Sequence, residues 1–265
     1  VLEKLRRLLL SDIFLSFSGN TAYAAAQGQV FAVPARLLVE LPGYRIVALG
    51  EEAREVEHAG LGRSKVITPC DETEVFDERG VEVFLRGLFR IVLGTGFLLK
   101  PRVWLSLPTR ATPFMKEVWT SALLGAGARE VYLAHPLLAV AAGAGLPYQS
   151  SHGYAVGEVE EGGVSFGLVA FGHVQQEVWR PFPPGSANDE AARFATFRQA
   201  WEELLGQISP EFLGSLLREG GALAVPDDSV EWARAYAQEL GVPAVLIDRA
   251  AKIAGLRHLA KEGNE

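Results

Sequence analysis

Apolar and polar positions along this chain switch repeatedly between the period-two alternation of strands and the three-to-four-residue spacing of helices. The first ten residues, VLEKLRRLLL, carry a helical pattern. At about 100° per residue, Val1, Leu2, Leu5, Leu8 and Leu9 fall within an arc of about 120°. Glu3, Lys4 and Arg7 lie opposite, and Arg6 sits at the edge. Two readings stand for this segment: a membrane-surface anchor, or a terminal helix docked on the protein's own core. The next stretch, DIFLSFSGNTAYAAAQGQVFAVPARLLVEL, places strand-like runs around two turn signals, Ser18-Gly19-Asn20 and Gln27-Gly28-Gln29, with a further strand near residues 36–40. Pro42-Gly43 marks a turn before a strand over 44–49. Residues 51–58 read as a short helix and 66–69 as extended chain. Asp77 is the candidate N-cap of a helix reaching residue 93, with Val81, Phe84, Leu85, Leu88 and Val92 on one face.

Residues 100–147 are the most regular part. A buried strand over 103–107 leads to a helix that starts at Thr112-Pro113 and is ended by the glycines of 125–127. A second strand over 130–133 and a small-residue helix over 136–144 follow. This order predicts a βαβ unit with parallel strands and a right-handed crossover. The chain then restarts with strands over 154–159 and 164–171 around a turn at 160–163, and a third strand over 173–179. A proline-rich linker at 180–188 leads to helices over 189–206 and 210–219. Strands over 222–225 and 244–247 flank a helix over 229–240, and a helix over 249–260 closes the chain. The prediction is a mixed α/β architecture with a β-rich opening and βα units in each half.

With 49% hydrophobic residues among 265, the chain can build a core, which excludes wholesale disorder. Lys plus Arg number 25 and Asp plus Glu 32, a net of −7, so no nucleic-acid partner is expected. The single cysteine, Cys70, excludes an internal disulfide framework and any multi-cysteine metal site, and fits a reducing cytoplasm. No apolar run approaches the roughly 20 residues of a membrane span. Leu8-Leu9-Leu10 is too short an apolar region for a secretory signal.

The short motifs leave the function open. Gly162-Gly163 and Gly19-Asn20 match neither a Walker loop nor a dinucleotide loop, and read as hairpin turns. The five histidines, at 58, 135, 152, 173 and 258, show no metal-ligand spacing, so no metal site is expected. Ser151-His152 lacks a nucleophile elbow. Glu158, Glu160 and Glu161 cluster on a turn and read as a solvated hairpin tip. Trp201 and Trp232 read as core residues.

One segment carries more. KPRVWLSLPTRATPFMKEVWTSALLGAGAREVYLAHPLLAVAAGAGLP, residues 100–147, resembles the MreB family of bacterial actin homologues that direct rod shape. The family runs K-P-R-V through a strand, then a helix, then A-G-A-R-E-V-Y-L, an acidic pair, and a helix ending G-A-G-L-P. Residues 100–103, 126–133 and 143–147 match it letter for letter. LEKLRRLLLSDI is similar to the family's amphipathic N-terminal segment. Residues 18–28 are similar to its first phosphate hairpin, with Asn20-Thr21 and Gly28 kept. Residues 48–53 are similar to its V-G-E-E-A, and residues 240–243 and 248–259 to its final strand and closing helix. The resemblance covers nearly the whole chain. It implies an α/β fold of the actin/Hsp70-like (ribonuclease H-like) two-half kind with a reduced second half. The implied parts are the N-terminal helix (1–10), a first half (11–148) with a small inserted subdomain at about 33–77, and a second half (149–265).

The departures from the family bear on activity. Actin-type ATPases hold Mg²⁺–nucleotide with a carboxylate at the end of the first strand, in a D-x-G-T hairpin. Here Leu15-Ser16-Phe17-Ser18-Gly19 has no acid. The second hairpin, D-I-G-G-G-T-T in the family, reads Glu158-Val159-Glu160-Glu161-Gly162-Gly163-Val164. Glu160 and Glu161 would set negative charge against a triphosphate, at about 1–4 kcal/mol each for charges about 4 Å apart. The acidic pair before G-A-G-L-P becomes His135 and Pro136, and the glycine-rich adenosine turn falls on Ala224-Val225-Pro226-Asp227. A subdomain of several dozen residues, one wall of the family's nucleotide cleft and part of its longitudinal filament contact, is replaced by the proline-rich 180–188.

The vestigial nucleotide positions are therefore Ser18, Gly19, Asn20, Thr21, His135, Glu158, Glu160, Glu161, Gly162, Gly163 and Pro226, with no cofactor and no catalytic residue expected. The expected function is a catalytically inactive scaffold or adaptor in cell-shape or wall-synthesis machinery, cytoplasmic and peripheral at the inner membrane. Its expected partners are proteins of that machinery, a full-length MreB, or further copies of itself. Val1, Leu2, Lys4, Leu5, Arg6, Arg7, Leu8 and Leu9 are the expected contacts with an anionic membrane surface. One alternative is an active ATPase binding ATP with Mg²⁺, in which Glu158 supplies the carboxylate and Asn20 and Thr21 meet the phosphates. The other is an actin-like adaptor of a pilus or division assembly.

Overall fold

The computed structural model describes residues 12–57, 64–72, 74–94, 100–186, 189–210, 212, 221–224, 234–235, 238 and 244–262. The expected N-terminal helix, most of the helices placed at 210–219 and 229–240, Trp232 and Pro226 lie outside them. The chain divides into two compact units, Val1–Leu133 and Ala134–Glu265.

In the first unit, β1 (Asp12–Ser18), β2 (Thr21–Ala26) and β3 (Gln29–Pro34) form an antiparallel meander. β7 (Arg102–Ser106) pairs parallel with β1, and β8 (Glu130–Ala134) lies beyond it, giving the order β3-β2-β1-β7-β8. Between β3 and the first long helix stands a separate three-stranded sheet, β5-β4-β6, of β4 (Leu37–Glu40), β5 (Arg45–Leu49) and β6 (Ser64–Ile67), with the short helix α1 (Glu51–Glu57). Helix α2 (Glu78–Leu93) starts where the Asp77 carboxylate accepts the Gly80 N–H, and it buries Val81, Phe84, Leu85, Leu88 and Val92 as its spacing predicts. Helix α3 (Pro113–Ala126) is capped by Thr112, opened by Pro113 and ended by Gly127 at φ 112°, a left-handed conformation suited to glycine. Ile13, Leu15 and Phe17 of β1, Val103 and Leu105 of β7, and Trp119 and Leu123 of α3 share one core with α2. Phe17 and Trp119 meet at 4.6 Å between ring centroids.

The second unit repeats this plan. β9 (Tyr154–Val159), β10 (Gly163–Ala170) and β11 (His173–Pro181) form the antiparallel meander. β12 (Gly221–Ala224) pairs parallel with β9, and β13 (Ala244–Ile247) parallel with β12, for the order β11-β10-β9-β12-β13. Helix α5 (Glu190–Gln207) follows β11 after a few residues. It packs Phe197 and Trp201 edge-on to Phe166, at 4.8 and 5.5 Å. Helices α4 (Pro136–Gly143) and α6 (Arg249–Glu262) pack against each other. Their backbones approach so closely that a Cβ on Gly255 would stand 1.9 Å from the Ala139 carbonyl oxygen, and one on Gly143 2.3 Å from that of Ala251. This packing groups α4 with the second compact unit, which begins at Ala134. Periodicity gives α4 an apolar surface without saying which sheet it covers.

Candidate functional site

Each five-stranded sheet carries a two-residue turn joining its central strand to the next, and the two hairpins correspond residue by residue. In the first, Gly19-Asn20 is the turn, Ser18 faces Thr21, Phe17 faces Ala22 and Ser16 faces Tyr23. In the second, Glu161-Gly162 is the turn. Glu160 donates its N–H to the Gly163 carbonyl at 2.9 Å, Val159 faces Val164 and Glu158 faces Ser165. Ser16 and Glu158 therefore hold the same place, third from the turn on a central strand. Each is also in register with a parallel neighbour, Ser106 and Ala224 respectively. Ser18 corresponds to Glu160, and Thr21 to Gly163.

The two equivalent places differ in chemistry. The Ser16 and Ser106 hydroxyls are buried and have no hydrogen-bond partner among the described residues. Glu158 is buried and ionic. Its Oε1 accepts from Lys252 Nζ at 2.6 Å and from Arg249 Nη1, while Arg249 Nη2 donates to the Val159 carbonyl at 2.8 Å. Arg249 and Lys252 stand three residues apart on one face of α6, and both are buried. Burial acts to raise the Glu158 pKa. The Lys252 ammonium and the Arg249 guanidinium outweigh it and hold the carboxyl below the usual carboxylate range.

The expectation of a solvated acidic tip is corrected: of Glu158, Glu160 and Glu161, only Glu161 is exposed. β9 is the middle strand of its sheet, so its end is walled by β10, β12 and the first turn of α6. Glu160 is buried there, and its carboxylate accepts from the Ser165 hydroxyl at 3.4 Å.

The first turn is held by a residue the sequence does not point to. Glu72, buried in the loop after β6, accepts the Gly19 N–H on Oε2 at 2.7 Å, and its own N–H donates to the Gly19 carbonyl at 2.7 Å. Ala35 N–H donates to the Asn20 carbonyl at 2.5 Å. His135 caps α4. Its Nδ1 accepts the Leu137 N–H at 3.3 Å, and its Nε2 lies 2.9 Å from Glu177 Oε2 on β11, which assigns the ring proton to Nε2. Among the described residues no three His, Cys, Asp or Glu side chains gather as metal ligands, and no helix is long and apolar enough to cross a membrane.

Two sheets of identical strand order, each opening with a hairpin whose central strand pairs parallel with the next βα unit, define an actin-type fold. Solved structures agree. MreB5 of Spiroplasma citri bound to AMPPNP superposes with a TM-score of 0.79 at 15% identity, over 96% of this chain and 97% of that one. The MamK double helical filament gives 0.65 at 10% identity, over 94% and 99%. A family profile described as MreB/Mbl protein matches residues 14–178, more than half of the chain, and the chain belongs to that family. Cell shape-determining protein MreB of Escherichia coli K12 is 26% identical over 181 residues, 66% of this chain and 52% of that protein. Cell shape-determining protein Mbl of Bacillus subtilis 168 is 23% identical over 152 residues, 57% and 46%. The aligned part thus covers about half the length of these curated relatives.

Proposed function

We propose that this chain is a catalytically inactive member of the MreB/Mbl family, acting as a scaffold or adaptor in cell-shape or wall-synthesis machinery. The observation that carries this reading is the commitment of Glu158 to Lys252 and Arg249. A carboxylate that holds Mg²⁺ directly or through water must turn its lone pairs to the ion. Here Oε1 is taken by two fixed cations of the same chain, and a metal ion added beside them would meet like charge. The equivalent place in the first hairpin is a serine, and at the second the one Glu158 oxygen left without a partner, Oε2, is buried on the same carboxylate that the two cations hold, which disfavours a Mg²⁺–nucleotide at either place. The residues present fit that group poorly.

A scaffold still needs surfaces. Family membership supports self-association or co-assembly with a full-length MreB, and the amphipathic pattern of residues 1–10 supports attachment to an anionic membrane face on the cytoplasmic side. One short helix binds a bilayer weakly, so stable attachment requires several copies or a partner. The test is sedimentation and electron microscopy of the full chain at high concentration, with and without Mg²⁺–ATP. An inactive scaffold shows the same assembly state in both. Filaments that form only with ATP would overturn it.

A further inference from the structure

We propose that Glu72 is a resident anion: its carboxylate occupies the backbone anion place of the β1–β2 turn and clasps the inserted three-stranded sheet to the five-stranded sheet without any ligand. The clasp deepens the inactive-scaffold reading and rests on it. It explains how the first hairpin keeps its shape with no phosphate to organise it.

The geometry is reciprocal. Gly19, at φ 52°, presents its N–H to Glu72 Oε2 at 2.7 Å, and the Glu72 N–H returns to the Gly19 carbonyl at 2.7 Å. Successive backbone N–H groups in a turn make the concavities in which loops hold anions, and at this turn the Gly19 N–H is taken by the Glu72 carboxylate. A charge-assisted hydrogen bond of this kind is about twice as strong as a neutral one. Glu72 is pre-set for the task. Its loop is closed by the Cys70–Val75 bridge, by Asp71 N–H to the Glu74 carbonyl at 3.0 Å, and by Glu74 N–H to Asp71 Oδ1 at 2.7 Å.

The same turn also holds the other end of the insert. Ala35, two residues before β4, donates to the Asn20 carbonyl at 2.5 Å, while Glu72 follows β6 by five residues. Entry and exit of the inserted sheet are thus pinned to adjacent residues, Gly19 and Asn20. The arrangement of the two sheets of this unit is fixed by the chain itself.

The test is amide exchange and chemical-shift mapping by NMR on the full chain, comparing the parent with Glu72→Ala and Glu72→Gln. In Glu72→Ala the Gly19 and Ala35 amides exchange faster by at least about tenfold, the scale of a lost hydrogen bond to a charged group. In that variant the Gly19 resonance also moves on addition of inorganic phosphate, whereas in the parent it stays put. Glu72→Gln, which keeps an acceptor without the charge, falls between the two, and it carries the test if the alanine variant does not fold. Three results would overturn the clasp: exchange at Gly19 unchanged in both variants, a rise spread evenly over both units, or a parent Gly19 amide that follows phosphate as the alanine variant does. Mg²⁺–ATP binding by the parent chain with Gly19 still protected would contradict the inactive reading alone, so the two failures are distinguishable.

Discussion

Lys252 Nζ lies 2.6 Å from Glu158 Oε1, joining the closing helix to the end of a central strand across 94 residues of sequence. With Arg249 it makes a buried cluster of two cations and one carboxylate. Such a cluster is costly to dehydrate, and removing one member leaves uncompensated charge. Glu158→Gln is expected to lower unfolding stability by about 3–5 kcal/mol at neutral pH. The sign of its pH dependence follows from the lowered pKa. The folded carboxyl ionises below its unfolded value of about 4.3, so its contribution is fully present above that value and fades as pH falls through the folded pKa. Urea unfolding of parent and variant at neutral pH and again near pH 3 checks this: the gap between them should shrink in acid.

The α4–α6 crossing depends on the absence of side chains at Gly143 and Gly255. Gly255→Ala forces a methyl against the Ala139 carbonyl and should cost at least about 1–3 kcal/mol. Gly143→Ala should act in the same direction, through the Ala251 carbonyl. Gly206 on α5 has no atom within 4 Å of its added Cβ, so Gly206→Ala should instead stabilise by roughly 0.5–1 kcal/mol. Thermal melting of the three variants reads the contrast.

The local parts of the fold are written locally in the chain. Asp77 and the apolar face from Val81 to Val92 mark α2, Thr112-Pro113 marks the start of α3, and Gly19-Asn20 marks the first turn. The second turn is legible too, because Glu161-Gly162 falls within the turn signal at 160–163. What holds those positions is not legible. Glu72 reaches Gly19 across 53 residues, and Arg249 reaches Glu158 across 91. Neither spacing leaves a periodic or motif signal. Glu158 and Glu160 read as solvated because acids on a turn ordinarily face water. Only the sheet order, which buries β9 in the middle, makes them interior.

The first ten residues should bind anionic membranes weakly and in a salt-sensitive way. Each of Lys4, Arg6 and Arg7 is worth about 1 kcal/mol near an anionic surface. Partial burial of Val1, Leu2, Leu5, Leu8 and Leu9 adds to this, and ordering the segment removes much of the gain. Co-sedimentation with anionic liposomes should fall sharply for Leu5→Glu with Leu9→Glu, and for deletion of residues 1–10. Sedimentation like the parent's in both variants would assign the segment to the body of the protein instead.

Calorimetric titration of the full chain with ATP and Mg²⁺ checks whether either hairpin offers a nucleotide site. An inactive chain gives no saturable heat, and no rise in melting temperature at millimolar ligand. A dissociation constant below about 100 μM, which at 1 mM ligand would add roughly 1.4 kcal/mol of stability, would contradict it.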